Sequence, residues 1–128
     1  MAKEIHLPQY TYEYPDTILH EYAHRVMHEI FAWWLPPGYI RDYEVTRRSN
    51  GSTAWIEGWA YFSPLAVEND PNYISWGTTY DFETPHWCSS GWDDGDEVVG
   101  RVTGALWDIF DAQNDSAPWY YDSLSDGF

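Results

Sequence analysis

The chain has 128 residues, about the length of one domain, and its 21 Asp and Glu outnumber its 6 Lys and Arg, for a formal net charge of −15. This balance excludes nucleic acid and anionic membranes as partners, because phosphate binding needs a basic face. Nine Trp, eleven Tyr and five Phe argue against disorder, the single Cys excludes a disulfide framework, and no apolar run is long enough to span a membrane.

The N-terminal third of the chain contains the clearest predicted helix. Alternating apolar residues in the segment 3–14 predict one strand before it, which Pro8 restricts to a sheet edge. The helix begins at Pro15-Asp16-Thr17, with Asp16 as the expected N-cap, and ends before Pro36-Pro37-Gly38. Its apolar residues recur at helical spacing and predict one wide buried face: Ile18, Leu19, Tyr22, Ala23, Val26, Met27, Ile30 and Phe31.

Two further helices are predicted downstream. The second follows the turn signal Ser49-Asn50-Gly51, begins near Ser52-Thr53 and ends between Pro64 and Glu68. The third begins at the acidic stretch 93–97, whose charges suit a helix N-terminus, and ends at about Asp111 or Ala112.

The remaining segments are predicted to be irregular. Residues 69–92 are rich in Pro, Gly, Trp and Tyr and are expected to form a long functional loop with room for a short strand. The tail 114–128 is expected to dock without forming a helix. The expected fold is mainly α, with three core helices, at most one or two N-terminal strands and long aromatic-rich loops, in a single domain over residues 1–128.

The first predicted helix contains the motif that points to chemistry, His20-Glu21-Tyr22-Ala23-His24. Histidines four residues apart lie on one helix face, with Cβ atoms roughly 5–6 Å apart, so both imidazoles can bind one zinc ion. Glu21 can then reach a water molecule on that ion without binding the ion itself. The alternative is that His20 and His24 are ordinary histidines of an amphipathic helix.

A catalytic zinc site needs a third protein ligand. His28 continues the four-residue series, but it lies about 12 Å along the helix axis from His20, too far to share one ion. Glu57 is the better candidate, because a carboxylate within the apolar segment Ala54–Tyr61 is costly to bury unless it is paired or binds a metal.

These motifs resemble the gluzincin zinc metallopeptidases of the thermolysin clan. The His-Glu-x-x-His helix, the segment Glu57-Gly58-Trp59-Ala60 and the segment Leu106-Trp107-Asp108 are together similar to small bacterial and archaeal members of that clan. The resemblance implies a minimal α+β zincin-like fold, with His20, His24 and Glu57 as Zn²⁺ ligands and Glu21 as the general base.

The sequence departs from the thermolysin pattern at two points. Ala60 stands where thermolysin-like enzymes have an Asp that orients a ligating histidine, so Asp108 or Asp111 is expected to take that role. The short segment before His20 has room for one or two strands at most, which limits the sheet edge on which such enzymes bind substrate.

The function expected from these residues is zinc-dependent hydrolysis of peptide bonds in peptide or protein substrates. The tetrahedral oxyanion needs a donor besides the metal, and the sequence leaves four candidates open: Tyr61, Tyr80, His86 and Arg101. The acidic, Lys-poor composition further predicts a secreted or cell-surface enzyme that stays soluble under harsh conditions.

Two other functions remain open from sequence. One is a metal-binding but proteolytically inactive domain of a larger surface or secreted protein. The other is a carbohydrate-binding module, because exposed aromatic rings stack on sugars. The candidate platform residues are Trp33, Trp34, Trp87, Trp92, Trp119, Tyr120 and Tyr121.

Overall fold

A computed structural model of the chain describes residues 4–83 and 92–111. Within these ranges the chain forms a short 3-10 helix, three α-helices and a two-stranded antiparallel sheet. The elements, in chain order, are the 3-10 helix Thr11–Glu13, α1 (Pro15–Ile30), α2 (Gly51–Glu68), β1 (Asn72–Ser75), β2 (Thr78–Asp81) and α3 (Val99–Phe110). The prediction of a mainly α fold with three helices is confirmed.

The predicted strand before α1 is wrong, and the sheet forms within residues 69–92, where one short strand was expected. Residues 4–10 form no strand, and the two strands come from the segment between α2 and α3. They are joined by Trp76 and Gly77, with φ angles of 50° and 78°. Such left-handed conformations suit a two-residue hairpin, because their twist matches that of the paired strands. This tight turn closes a local hairpin that needs no N-terminal partner.

The start of α1 also differs from the prediction. Tyr14 is the N-cap and Pro15 is the first helical residue, a position where proline loses no hydrogen bond. Asp16 is therefore inside the helix, where it is buried and its carboxylate accepts a hydrogen bond from the backbone N–H of Ile74. Asp16 thus attaches β1 to α1 instead of capping the helix.

Helix α2 lies between the other two helices. It packs against α1 and against α3, while α1 and α3 do not contact each other. Its N-cap is Asn50, whose side chain accepts a hydrogen bond from the N–H of Thr53 at 2.8 Å. Gly58 permits the close approach of α3, since a Cβ there would lie 2.7 Å from Cγ1 of Val102. These contacts place α2 at the centre of the described structure.

The third helix begins later than predicted, at Val99. The acidic stretch before it forms turns in which the carboxylate of Asp93 accepts a hydrogen bond from the Arg48 N–H at 2.8 Å. Asp94 also pairs with Arg101 at 3.0 Å. Asp93 and Asp94 bind arginines and do not start the helix, whose N-cap is Val98.

Aromatic residues supply three of the five side chains of the buried core cluster, but other aromatic residues are exposed and the apolar face of α1 is only partly covered. The buried core cluster consists of Val45, Leu65, Tyr73, Phe82 and Trp107. On α1, Ala23 and Met27 are buried, whereas Tyr22 and Ile30 are exposed. No helix in the described part of the chain is both long and apolar enough to cross a membrane.

Candidate metal centre

Helices α1 and α2 bring His20, His24 and Glu57 together. The Nε2 atoms of the two histidines lie 3.2 Å apart. Oε2 of Glu57 lies 3.3 Å from Nε2 of His20 and 3.4 Å from Nε2 of His24. The three ligand atoms therefore form a nearly equilateral triangle, and within the described ranges this is the one group of three or more His, Cys, Asp or Glu with metal-binding geometry.

The dimensions of this triangle fit zinc. A tetrahedral ion about 2.0–2.2 Å from each ligand atom places those atoms roughly 3.3–3.6 Å from one another. The donor set of two imidazoles and one carboxylate also suits catalytic zinc, which keeps its fourth position for water or substrate. His20 and Glu57 are buried and His24 is half-buried. The residues present therefore fit a Zn²⁺ ion.

Two tyrosines that the sequence analysis did not identify hold Glu57 in place. The hydroxyl of Tyr39 donates to Oε1 at 2.6 Å, and the hydroxyl of Tyr43 donates to Oε2 at 2.7 Å. Burial and these bonds to Glu57 raise the pKa of both hydroxyls above their usual range, so both stay protonated donors at neutral pH. Each oxygen of Glu57 is thus oriented by a hydroxyl.

The pKa of Glu57 itself reflects two opposing effects. Burial alone would raise it, but hydrogen bonds with His20 and His24, together with the one from Tyr39, hold the pKa well below its usual range. Glu57 is therefore an ionised carboxylate at neutral pH, which is the form that binds a metal ion.

The loop between α1 and α2 positions both tyrosines. Hydrogen bonds tie it to the first turn of α2: the N–H of Ile40 donates to Oγ1 of Thr53 at 2.8 Å, and the side chain of Asn50 donates to the carbonyl of Gly38 at 2.7 Å. Gly38 has a φ of 92°, a conformation that favours glycine. The loop therefore folds back over the same helix that presents Glu57.

Aromatic packing fixes the ring of His20. Tyr61 meets it edge-on with ring centroids 4.5 Å apart, and Tyr73 lies 6.1 Å away. Nδ1 of His20 is buried, and none of the described residues gives it a hydrogen-bond partner. The prediction that Asp108 or Asp111 orients a ligating histidine is wrong for His20, because neither they nor any other described residue bonds its Nδ1, and for His24 it stays a prediction.

The three ligand residues open onto a cleft of about 750 Å³. Glu21 lines it beside them, as its place in the motif predicts. His28 also lines the cleft, but it lies outside the group of metal-binding geometry and its ring stacks on Trp33 with centroids 5.1 Å apart. The other described residues that line the cleft are His6, Leu35, Pro36, Tyr39, Arg41, Tyr43 and Ile56.

The proposed oxyanion donors are not among these residues. Tyr61 and Tyr80 pack in the aromatic core, and Arg101 pairs with Asp94 on the far side of α2. His86 lies outside the described residues. The hydroxyls of Tyr39 and Tyr43 line the cleft, but each donates its one hydrogen to Glu57.

The aromatic residues suggested for sugar binding are dispersed. Trp92 packs against Phe82 with centroids 5.9 Å apart, and Trp33 stacks on His28. Trp34 is largely exposed. The remaining members of that set, at positions 87 and 119–121, lie outside the described residues, as do Cys88 and the C-terminal tail. Among the described members, Trp92 packs in the core and the neighbours Trp33 and Trp34 are exposed, so a sugar-binding platform stays a prediction.

One family model matches the sequence over residues 1–125, that of the Mycolysin C-terminal domain. The chain belongs to this family. Neither the curated proteins nor the solved structures contain a match to it.

The Mycolysin C-terminal domain is a domain of thermolysin-family peptidases, which depend on zinc and are secreted. Membership therefore gives the chain a peptidase context in agreement with the resemblance noted from its motifs. The match assigns no catalytic activity and no ligand to the residues of this chain.

In this member of the Mycolysin C-terminal domain family, the hydrogen bond from Tyr43 to Glu57 is expected to affect the affinity for Zn²⁺. Tyr43→Phe removes the donor to Oε2, the oxygen nearest both histidines, and is expected to weaken Zn²⁺ binding about 10–100-fold. Competition with a chromophoric chelator measures the affinity. Tyr12→Phe removes a hydroxyl from a ring that is 71% exposed and is expected to leave the affinity unchanged. Equal affinities in the two variants would contradict a role for Tyr43 in positioning Glu57.

Proposed function

We propose that the chain is a zinc metallopeptidase domain that hydrolyses peptide bonds. His20, His24 and Glu57 hold the Zn²⁺ ion, and Glu21 acts as general base. The observation that supports this most directly is the ligand triangle with sides of 3.2–3.4 Å, which opens onto a cleft also lined by Glu21. The peptidase context of the family agrees with it.

The proposed mechanism assigns a separate task to each side chain. Bound zinc supplies polarisation of the peptide carbonyl and activation of a water molecule. Glu21 accepts the proton of the water that adds to the carbonyl carbon, and it gives that proton to the amine when the C–N bond breaks. Tyr39 and Tyr43 keep both oxygens of Glu57 in place throughout. Leu35, Pro36 and Ile56 supply an apolar wall for the peptide.

Removal and return of the metal tests this proposal. Protein treated with a chelator and then dialysed is expected to lose hydrolysis of casein and of quenched fluorescent peptides, and to regain it with one equivalent of Zn²⁺ per chain. Metal analysis and the hydrolysis rate are measured on the same samples. Hydrolysis that persists in metal-free protein would contradict the proposal, because Glu21 alone does not activate water sufficiently.

The same samples distinguish the proposed peptidase from the other function that the metal site allows, which is a metal-holding domain without turnover. Stoichiometric zinc with no hydrolysis of any peptide would favour that function. The residues lining the cleft argue for catalysis, because a purely structural zinc site is normally closed by a fourth protein ligand. Here the described residues provide three ligand side chains, which face an open cleft.

We further propose that residues 1–128 act as one metallopeptidase domain and that the protein is secreted or displayed at the cell surface. The secreted peptidases in which the family's domains occur support this location. The large negative charge agrees with it, because acidic surfaces keep proteins soluble at high salt.

A further inference from the structure

Arg41 differs from the other described arginines in its surroundings. Four of them are in ion pairs with carboxylates: Arg25 with Glu29, Arg47 with Asp93, Arg48 with Glu97 and Arg101 with Asp94. Within residues 4–83 and 92–111, Arg41 has no such pair and its guanidinium makes no hydrogen bond. In a chain with a net charge of −15, an arginine with no carboxylate partner among the described residues is unexpected.

Arg41 is also the arginine that lines the metal cleft. It is exposed and borders the cleft together with His24, Glu57 and Tyr39. It follows Tyr39 by two residues, and the hydroxyl of Tyr39 lies 2.6 Å from Oε1 of Glu57. The hydrogen bonds of Ile40 and Gly38 to the start of α2 fix the backbone on both sides of Tyr39. Arg41 therefore extends from an anchored segment beside the proposed reaction centre.

The charges of the cleft favour an anion near Arg41. Among the described residues that line the cleft, Glu57 and Glu21 would balance the two charges of a bound divalent ion, and the guanidinium would remain an uncompensated positive group. The acidic chain as a whole repels anionic peptides at long range, so a carboxylate is expected to bind through this local positive group and not through the overall charge. A guanidinium binds a carboxylate through two parallel N–H···O bonds, a geometry that no other cation of the cleft offers.

We propose that Arg41 binds a carboxylate of the peptide substrate and is therefore a specificity-determining residue. This inference rests on the proposed peptidase function and specifies its substrate class. The carboxylate is either the side chain of an Asp or Glu near the scissile bond or the free C-terminus of the peptide, since both present the same group to the guanidinium.

A matched set of peptides tests the proposal and separates the two sources. The peptides differ only by Glu or Gln at one position, which is moved along the sequence, and each is made with a free and with an amidated C-terminus. The wild-type chain is expected to cleave the form with the carboxylate about tenfold faster, measured as kcat/KM. A preference for Glu over Gln identifies a side chain, and a preference for the free acid over the amide identifies the C-terminus.

Variants of Arg41 assign the preference to this residue. Arg41→Ala is expected to bring the ratio of the two kcat/KM values close to one, and Arg41→Glu to reverse it. Arg41→Lys keeps the charge without the two-pronged geometry and is expected to give an intermediate ratio. The control is Arg47→Ala, which removes an exposed arginine paired with Asp93 away from the cleft and is expected to keep the wild-type ratio.

A binding measurement keeps this test independent of turnover. Zinc-loaded Glu21→Gln protein is titrated with the same peptides by calorimetry, with and without Arg41→Ala. Tighter binding of the carboxylate forms that disappears with Arg41→Ala supports the proposal even if no peptide is cleaved. Equal binding of both forms, a preference that survives Arg41→Ala, or no peptide binding at millimolar concentration would each overturn it.

Discussion

Replacing Glu21 with Gln is expected to lower kcat/KM for peptide hydrolysis by about 10²–10⁴-fold while the zinc content stays at the wild-type level. Glu21 lines the cleft but does not belong to the group with metal-binding geometry. Its proposed task is proton transfer, which an amide cannot perform. Hydrolysis of a quenched fluorescent peptide and metal analysis on the same preparation measure both quantities.

The comparison needs a variant that removes a carboxylate elsewhere. Glu44→Gln changes an exposed residue whose contact is with Arg47, outside the cleft, and it is expected to retain wild-type hydrolysis. If Glu21→Gln and Glu44→Gln hydrolyse equally fast, Glu21 is not the general base. If Glu21→Gln instead loses its zinc, the residue has a role in metal binding that the structure does not indicate.

Replacing Glu57 with Gln is expected to weaken Zn²⁺ binding by more than about a hundredfold, beyond the usual effect of losing an outer hydrogen bond to a ligand. The change keeps the shape of the side chain but removes the charged oxygen that lies 3.3–3.4 Å from both histidine nitrogens. The rate of hydrolysis at limiting zinc is expected to fall together with the affinity for Zn²⁺. Chelator competition gives the affinity, and the zinc-induced rise in Tm provides a second readout.

Loss of affinity could also follow from misfolding, because Glu57 is only 2% exposed. Circular dichroism of the metal-free protein addresses this point, since the helices are expected to persist in the variant. Glu68→Gln is the matched control on the same helix, because it lies at the exposed end of α2. Zinc binding by Glu57→Gln at the level of Glu68→Gln would rule out Glu57 as a ligand.

The two variants test different parts of one arrangement. Glu57 connects the metal site to α2 and, through Tyr39 and Tyr43, to the loop that lines the cleft. Glu21 lines the same cleft from α1. Metal retention in the Glu21 variant together with metal loss in the Glu57 variant is therefore the pattern expected of the proposed peptidase.

Local sequence patterns predicted where the helices lie in the chain, but they predicted the ends of the helices less well. Apolar spacing predicted α1, the turn signal Ser49-Asn50-Gly51 predicted the start of α2, and the motif on α1 placed His20 and His24 on one face. The predicted caps at Asp16 and at residues 93–97 were wrong, because both acidic groups bind partners far away in the chain. Acidic residues near a helix start are equally compatible with a cap and with a long-range hydrogen bond, and sequence alone does not distinguish them.

By itself, the sequence determined that this is a mainly α protein with an acidic surface and an aromatic core, and it indicated His20, His24 and Glu57 as one group. The fold class and the histidine pair follow from composition and from spacing within single helices, whereas Glu57 was indicated by its apolar surroundings and by the resemblance to the gluzincins. Only the tertiary structure revealed the tyrosine pair on Glu57, the aromatic packing around His20 and the place of Arg41 at the cleft, without a carboxylate partner among the described residues. The tyrosine pair and Arg41 depend on how a loop folds back over α2, and the packing around His20 depends on how α1 meets α2 and β1. Such contacts between distant segments have no periodicity that a sequence displays.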